Sequence, residues 1–463
     1  MQSLDLDFSN KFGDLRLCKR GSTIMRSLLS GQNSSIRQLS GDKAKQKAMY
    51  RFLENEQVTE SELVECCLDR TGTLSKGRHV LVLNDTTEIN LQQHSGRIKA
   101  NSGIGPVGNN IDIGFFAHLG LVVDIEKYQA IGYSSINLWH RVHDKGSKES
   151  RNYRALPVEE KESHKWIKCG NDSKSVLAGA ASITLVGDRE SDMYELFTDA
   201  GEQGMHVLAR NRIDRKTTEG KNLYQVLCAT EIAGSHEIEI AADKRKQRDR
   251  RKAKLSIKFT SVCIQKPRNK SDERQGEIRV WLIEAKEDGK SDGICWRLMT
   301  THVIESYQEA VQMVEWYQMR WFIEQVFRLL KNKGFRIEES ELGTGWALRK
   351  LTIMLLQSVL RIMQMLIAYN GTSEEEDAGI VFSGEEIVCL TKLNAKCQGG
   401  TEKLKNPFRI ESLRWATWII ARLGGWSGYI SQRPPGPITI KNGLDKFNHV
   451  FMGWMMAKDV GTP

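Results

Sequence analysis

Continuous runs of apolar residues stand out along the first half of the chain. His79–Asp85 (HVLVLND), Asp112–Asp124 (DIGFFAHLGLVVD) and Ser182–Asp188 (SITLVGD) do not alternate, the pattern of strands buried on both faces. All three end in an aspartate, the first at Asp85 and the third at Asp188. MHVLARNR (Met205–Arg212) predicts a further strand. Between the last two, SDMYELFTDAGEQG reads as a helix. Asp192 stands at a capping position, Glu195 follows three residues on, and Gly201 or Gly204 ends it. Strands mixed with helices predict an α/β core. From Asp214 to Cys295 the pattern becomes alternating. HEIEIAA, KLSIKFTSVCI and EIRVWLIEA, divided by polar turns, predict antiparallel strands inserted into that core.

Helical spacing dominates both ends. Before about Asp69, GDLRLCKRGSTIMRSLL and DKAKQKAMYRFLEN place basic residues beside an apolar face and predict a small basic helical module. Ser306–Lys333 predicts one long uninterrupted helix. From Leu348 the chain reads as mostly helical, broken by RPPGPIT (Arg433–Thr439), whose prolines and glycine exclude helix. Leu351–Tyr369 approaches the length of a membrane span. Gln357, Arg361 and Gln364 recur in it at near-helical spacing, so it predicts an amphipathic helix packed in protein, with no membrane association.

Composition narrows the function class. The 463 residues are 40% hydrophobic and 27% charged, a globular balance with room for roughly two to four domains. A formal net charge of +9 favours a polyanionic partner, as it also does in ribosomal and membrane-surface proteins. The nine cysteines include no C-x-x-C pair, which argues against a zinc ribbon or a disulfide framework and for a reducing compartment. No charged-then-apolar signal pattern opens the chain. A cytoplasmic protein acting on DNA in place is expected.

The candidate chemistry starts from Asp85 and Asp188. If their strands are neighbours, about 4.8 Å apart, the carboxylates converge. Converging carboxylates call for a cation, and Mg²⁺ or Mn²⁺ takes oxygen ligands. Phosphoryl transfer on DNA uses such ions in pairs. The plain alternative is two aspartates that cap turns. On the helix expected at Ser306–Lys333, Tyr317, Arg320, Glu324 and Lys331 fall within a sector of roughly 60°. That face offers a metal carboxylate, two cations for phosphate and a phenol. Its alternative is a solvated face on which Arg320 and Glu324 pair. KRKQRDRRKAK (Lys244–Lys254) is a basic loop able to hold phosphates, or simply a solvated one. His140 and His143 form an H-x-x-H pair without a helical pattern and read as ordinary histidines.

The spacing of Tyr317, Arg320, Glu324 and Lys331 in WYQMRWFIEQVFRLLKNKG resembles the signature of the insertion-sequence-four family of bacterial cut-and-paste transposases. NDTTEIN resembles its first-aspartate motif and GDRESDMYELF its second. KAMYRFLEN resembles its N-terminal DNA-binding module, and ARLGGWSGY with RPPGPIT its C-terminal segment. The resemblance runs through nearly the whole chain in family order. It implies an α/β fold: an RNase H-like catalytic core with an antiparallel β insertion, flanked by N-terminal and C-terminal helical domains. Residues 1–70 would bind the DNA end. Residues 71–345 would form the catalytic domain with its insertion at about 213–300, and 346–463 would dimerise.

The resemblance further implies catalysis by Asp85, Asp188 and Glu324 with two Mg²⁺ (or Mn²⁺) ions per site. Phosphate contacts would come from Tyr317, Arg320 and Lys331, end contacts from Arg51, Arg210 and Arg212, and stacking on a flipped base from Trp296. The implied partners are transposon-end DNA and target DNA, with a homodimer pairing the ends. The implied reaction is nicking, hairpin closure and opening, and transfer of the 3′ ends. Two readings compete: a purely hydrolytic RNase H-like nuclease, and a transposase-derived DNA-binding inhibitor. The Gly-rich stretch Gly96–Asn110 departs from the family pattern and has no assigned role.

Overall fold

The computed structural model describes residues 6, 8–31, 33–142, 156–240, 251–267, 273–290, 293–331, 333–371 and 376–460. The chain forms two compact units. One holds residues 77–85 and 146–321; the other holds 1–76, 86–145 and 322–463.

The strands, in chain order, are β1 (His79–Asn90), β2 (Gly105–Pro106), β3 (Ile113–Asp124), β4 (Gln129–Trp139), β5 (Ser182–Gly187), β6 (His206–Arg210), β7 (Gly234–Ile240), β8 (Arg251–Gln265), β9 (Glu277–Glu287) and β10 (Cys295–Thr300). In the unit holding Asp188, the start of β1 runs parallel to β5, and β5 parallel to β6. β10 lies antiparallel on β6, and β9, β8 and β7 follow, each antiparallel to the last. The inserted strands thus continue the sheet. Val80 to Leu83 and Ile183, Leu185 and Val186 are all buried, which explains why these runs do not alternate.

In the other unit, the end of β1 lies beside β3, where the Leu91 N–H donates to the Ile113 carbonyl at 2.8 Å. β3 carries β2 and β4 on its far edge. The fold is an RNase H-like α/β one: β1, β5 and β6 run parallel in one unit, and β3 and β4 pair antiparallel in the other. Helices Leu15–Gly31, Lys43–Glu54 and Glu60–Leu74 flank it at the N-terminus, and Gly345–Asn370, Gly384–Cys397, Leu413–Leu423 and Pro437–Val460 at the C-terminus.

Three expectations change. The helix Gly345–Asn370 is apolar enough to cross a membrane, yet it is buried all round rather than amphipathic. Two of its buried polar residues bond outside the helix: Arg361 pairs with Glu386 at 2.8 Å, and Gln364 donates to the Ala130 carbonyl at 3.1 Å. RPPGPIT excludes helix only over 433–436; Pro437 starts the last helix, where a missing N–H costs nothing. The single helix over Ser306–Lys333 is two. A Ser306–Glu309 capping box opens Tyr307–Met319. The Arg320 N–H then turns back to the Tyr317 and Gln318 carbonyls, a tight turn that interrupts the ladder, and Trp321–Leu330 begins. Tyr317 and Arg320 stand before this turn, and Glu324 and Lys331 follow it.

The Gly-rich stretch acquires a role in the packing. The Ser102 hydroxyl accepts the Gly345 N–H at 3.0 Å, and the Ser102 carbonyl accepts the Trp346 N–H at 2.7 Å. Gly103 has φ +89°, and a side chain there would strike the Trp346 indole at 2.6 Å. The stretch braces the first turn of the core helix.

Candidate active site

β1 and β5 keep one register from His79↔Ser182 to Leu83↔Val186. Continued for two residues, that register brings Asp85 level with Asp188. Adjacent strands lie about 4.8 Å apart, and residues level across a parallel pair share a face. β1 does not stop at Asp85, as expected from sequence, but runs on to Asn90; what stops is its pairing with β5. Asp188 follows β5 directly with an extended backbone. Its Oδ1 accepts the Glu190 N–H at 2.8 Å, so the capping alternative describes part of what Asp188 does. Asp85 Oδ2 accepts from Arg320 Nη1 at 2.9 Å, with both side chains mostly buried.

Glu324 stands in the first turn of Trp321–Leu330, where a carboxylate suits the helix dipole. Lys331 lies just past the end of that helix, 3.8 Å from Glu338. Burial holds the Lys331 ammonium below its usual pKa, with Glu338 and Glu88 acting the other way. Among the described residues, no three His, Cys, Asp or Glu side chains gather into a metal-binding group.

Beside Arg320 opens a pocket of about 340 Å³ whose walls include Arg210, Glu239, Trp296, Tyr317, Arg320 and Trp321. Trp296 sits opposite Ala285 at the start of β10 and meets Tyr317 edge to face, 5.6 Å between ring centres. Trp296 is partly exposed while Leu298 on the same strand is buried, so Trp296 is a wall residue rather than a core one. Tyr317 is only 6% exposed. Burial raises its phenol pKa, and the adjacent Arg320 and Arg210 cations oppose that rise. Arg210 Nη2 donates to the Cys295 carbonyl at 3.3 Å. Aromatic faces with two guanidiniums at the rim suit a planar ring attached to a phosphate.

The other expected residues do not line this pocket. Arg51 is exposed on Lys43–Glu54, and Arg212 is exposed just after β6. Residues 244–250 of the basic loop lie outside the described residues, and Arg251–Lys254 belong to β8. His143 also lies outside them. His140 Nδ1 is 3.2 Å from Arg349, and its ring packs on Trp346, a structural role. Two residues escaped the sequence reading. Trp321, half exposed at the pocket mouth, directly follows Arg320 in the sequence. Asp192 does not cap the helix Tyr194–Glu202, whose N-cap is Met193; it is buried and bound to the segment after β6. The clue was its place four residues beyond Asp188.

Residues 8–58 match the family described as "Transposase DNA-binding", and residues 151–360 match "Transposase DDE domain". The chain therefore carries a transposase DNA-binding domain and a transposase DDE domain. Asp188 and Glu324 fall inside the second match; Asp85, on β1, precedes it. The chain is also similar to the piggyBac transposase in the cryo-electron-microscopy structure of its synaptic complex with hairpin DNA. The TM-score is 0.35 and the identity 9% over 87% of this chain, which spans 57% of the length of that transposase.

Proposed function

We propose that the protein is a metal-dependent DNA transposase that cuts transposon ends through a hairpin intermediate and joins the 3′ ends to target DNA. The observation that supports this most is the parallel register of β1 and β5, which would bring Asp85 level with Asp188 if continued two residues past Leu83↔Val186, in a chain whose residues 151–360 match a transposase DDE domain. Two carboxylates so placed repel without a cation, and Arg320 already answers one of them. Their oxygens suit a hard divalent ion. Asp85, Asp188 and Glu324 would hold two Mg²⁺ or Mn²⁺ ions, which supply an activated hydroxyl and charge stabilisation at phosphorus.

The remaining roles are those the family resemblance implies. Tyr317, Arg320 and Lys331 contact phosphate. Trp296 receives the base that leaves the stack when the strand bends. Arg51, Arg210 and Arg212 contact the end. Water breaks the first phosphodiester and leaves a 3′-hydroxyl. That hydroxyl attacks the opposite strand and closes a hairpin; a second water opens it, and the 3′-hydroxyl then attacks target DNA. Each step is a displacement at phosphorus, so one set of side chains serves all. Residues 1–70 act in end binding and 346–463 in pairing two copies, in the cytoplasm on the nucleoid.

Purified protein is incubated with Mg²⁺ and a DNA fragment carrying the inverted repeats that flank its coding sequence. Nicks at the repeat boundary followed by hairpin ends are expected. Cutting without hairpins would indicate a hydrolytic nuclease, and end binding without cutting would indicate an inhibitor.

A further inference from the structure

Asp192 is a fully buried carboxylate with an unusually complete set of partners. One oxygen accepts the Arg212 N–H at 2.7 Å, the Ile213 N–H at 3.2 Å and Asn211 Nδ2 at 3.2 Å. The other accepts Arg215 Nη1 at 2.5 Å, and Arg215 Nη2 reaches the Asp192 carbonyl at 2.7 Å. A buried charge is tolerated only when paired and hydrogen-bonded in this way. Every partner lies in one short segment, Asn211–Arg215, which leaves the end of β6.

Both sides of this clamp touch the site. On one side, Asp192 closes the short turn that Asp188 opens, where the Ser191 hydroxyl donates to the Asp188 carbonyl at 2.7 Å. On the other side, the clamped segment follows directly on Arg210, a wall of the Trp296 pocket. The Asn211 N–H donates to the Arg297 carbonyl at 2.7 Å, which ties the same segment to β10 one residue beyond Trp296. We infer that Asp192 is a positioning residue: it fixes the spacing between the Asp188 turn and the pocket wall that carries Arg210. This rests on the transposase reading and goes beyond it, because Asp192 touches neither metal nor DNA. Nicking needs the carboxylates, whereas hairpin closure needs the carboxylates and the pocket at one spacing. Loosening the clamp therefore penalises the second step more.

The test uses full-length protein under single-turnover conditions on end DNA, with nicking and hairpin closure timed separately beside a thermal melt. Asp192→Asn keeps an acceptor for the backbone N–H groups but leaves the Arg215 charge unanswered. It is expected to lower the ratio of hairpin-closure rate to nicking rate by about tenfold, equivalent to about 1.4 kcal/mol. In an Arg210→Ala background the same substitution should lower that ratio by less than about twofold, because coupled positions are not additive. Adding Arg215→Gln to Asp192→Asn should recover part of the loss, since removing both charges leaves none buried alone. If Asp192→Asn does not fold, Arg215→Lys, which keeps the charge but loses the fork, carries the same comparison. Equal loss of both steps, or independent effects of Asp192 and Arg210, would overturn the positioning role alone. Wild-type protein that cuts no end DNA would overturn the transposase reading and this inference with it.

Discussion

Arg320 and Asp85 form an ion pair at 2.9 Å, with each side chain less than one-fifth exposed. The guanidinium occupies an oxygen that the proposed metal would need. On the proposed function the two cations would compete for Asp85 without DNA, and with DNA Arg320 would have phosphate to turn to. Arg320→Ala should therefore tighten Mn²⁺ binding to the DNA-free protein about three- to tenfold, the range expected when a partly buried ion pair is removed. The same variant should cut end DNA at least about tenfold more slowly. Calorimetric Mn²⁺ titration checks the first half, and an unchanged affinity would mean that Arg320 does not compete for the site.

The contact between Trp296 and Tyr317 makes a second expectation specific. Unstacking a base costs a few kcal/mol, and an aromatic platform returns about 1–3 kcal/mol. Trp296→Ala should spare nicking and slow hairpin closure by roughly ten- to a hundredfold. Trp296→Phe should keep part of the rate. A variant that melts early and loses both steps together would show that the indole only supports the fold.

How much of this was legible beforehand depends on the kind of signal. Val80–Leu83 is a continuous apolar run, and Ile183–Val186 is broken only by the buried Thr184, because their strands are buried on both faces, so β1 and β5 could be read directly. Their parallel pairing, on which the proposed convergence of Asp85 and Asp188 rests, depends on a register that no local pattern encodes. The break at Arg320 was hidden because Ser306–Lys333 contains neither proline nor glycine before Lys333. Periodicity therefore ran straight through a turn set by tertiary contacts. Asp192 was misread for a similar reason: a capping aspartate and a buried clamp look alike until the segment it holds, Asn211–Arg215, comes into contact from some twenty residues away. β4 went unread because its buried face carries Ser134 and Ser135 among its apolar residues.

Acid stability offers a test unrelated to DNA. His302 stacks on His206 at 3.8 Å between ring centres, and its Nε2 hydrogen-bonds the Thr184 hydroxyl at 2.8 Å. Burial, with repulsion from His206 and His79, lowers the His302 pKa from 6.5 to about 3. A folded-state pKa below the unfolded one means that the unfolded chain takes the proton first as pH falls. Stability from this group is full above pH 6.5 and declines by up to about 1.4 kcal/mol per pH unit toward pH 3. Between pH 7 and pH 5, wild type should lose about 2 kcal/mol more than His302→Gln in urea unfolding. Parallel losses in the two proteins would remove His302 as the cause.

Pairing of two ends has its own candidate surface. Val450, Met452 and Met456 are exposed apolar residues on Pro437–Val460. Deleting residues 346–463 is a poor test, because that would remove the buried Gly345–Asn370 and with it the core. Met452→Asp with Met456→Asp changes the surface alone. Paired-end complexes should fall at least about tenfold in native gels while single-end binding persists, as for charges placed in an apolar interface. Undiminished pairing would move the dimer contact elsewhere.

The three carboxylates are the centre of the proposal, and one measurement addresses them directly. Asp85→Ala, Asp188→Ala and Glu324→Ala are each purified and given end DNA with Mg²⁺ under single-turnover conditions, with end binding measured in parallel. Each should bind the end with near wild-type affinity and cut at least about a thousandfold more slowly, since losing one metal ligand removes several kcal/mol of stabilisation at phosphorus. Cutting at the wild-type rate by any one of the three would contradict its place in the site.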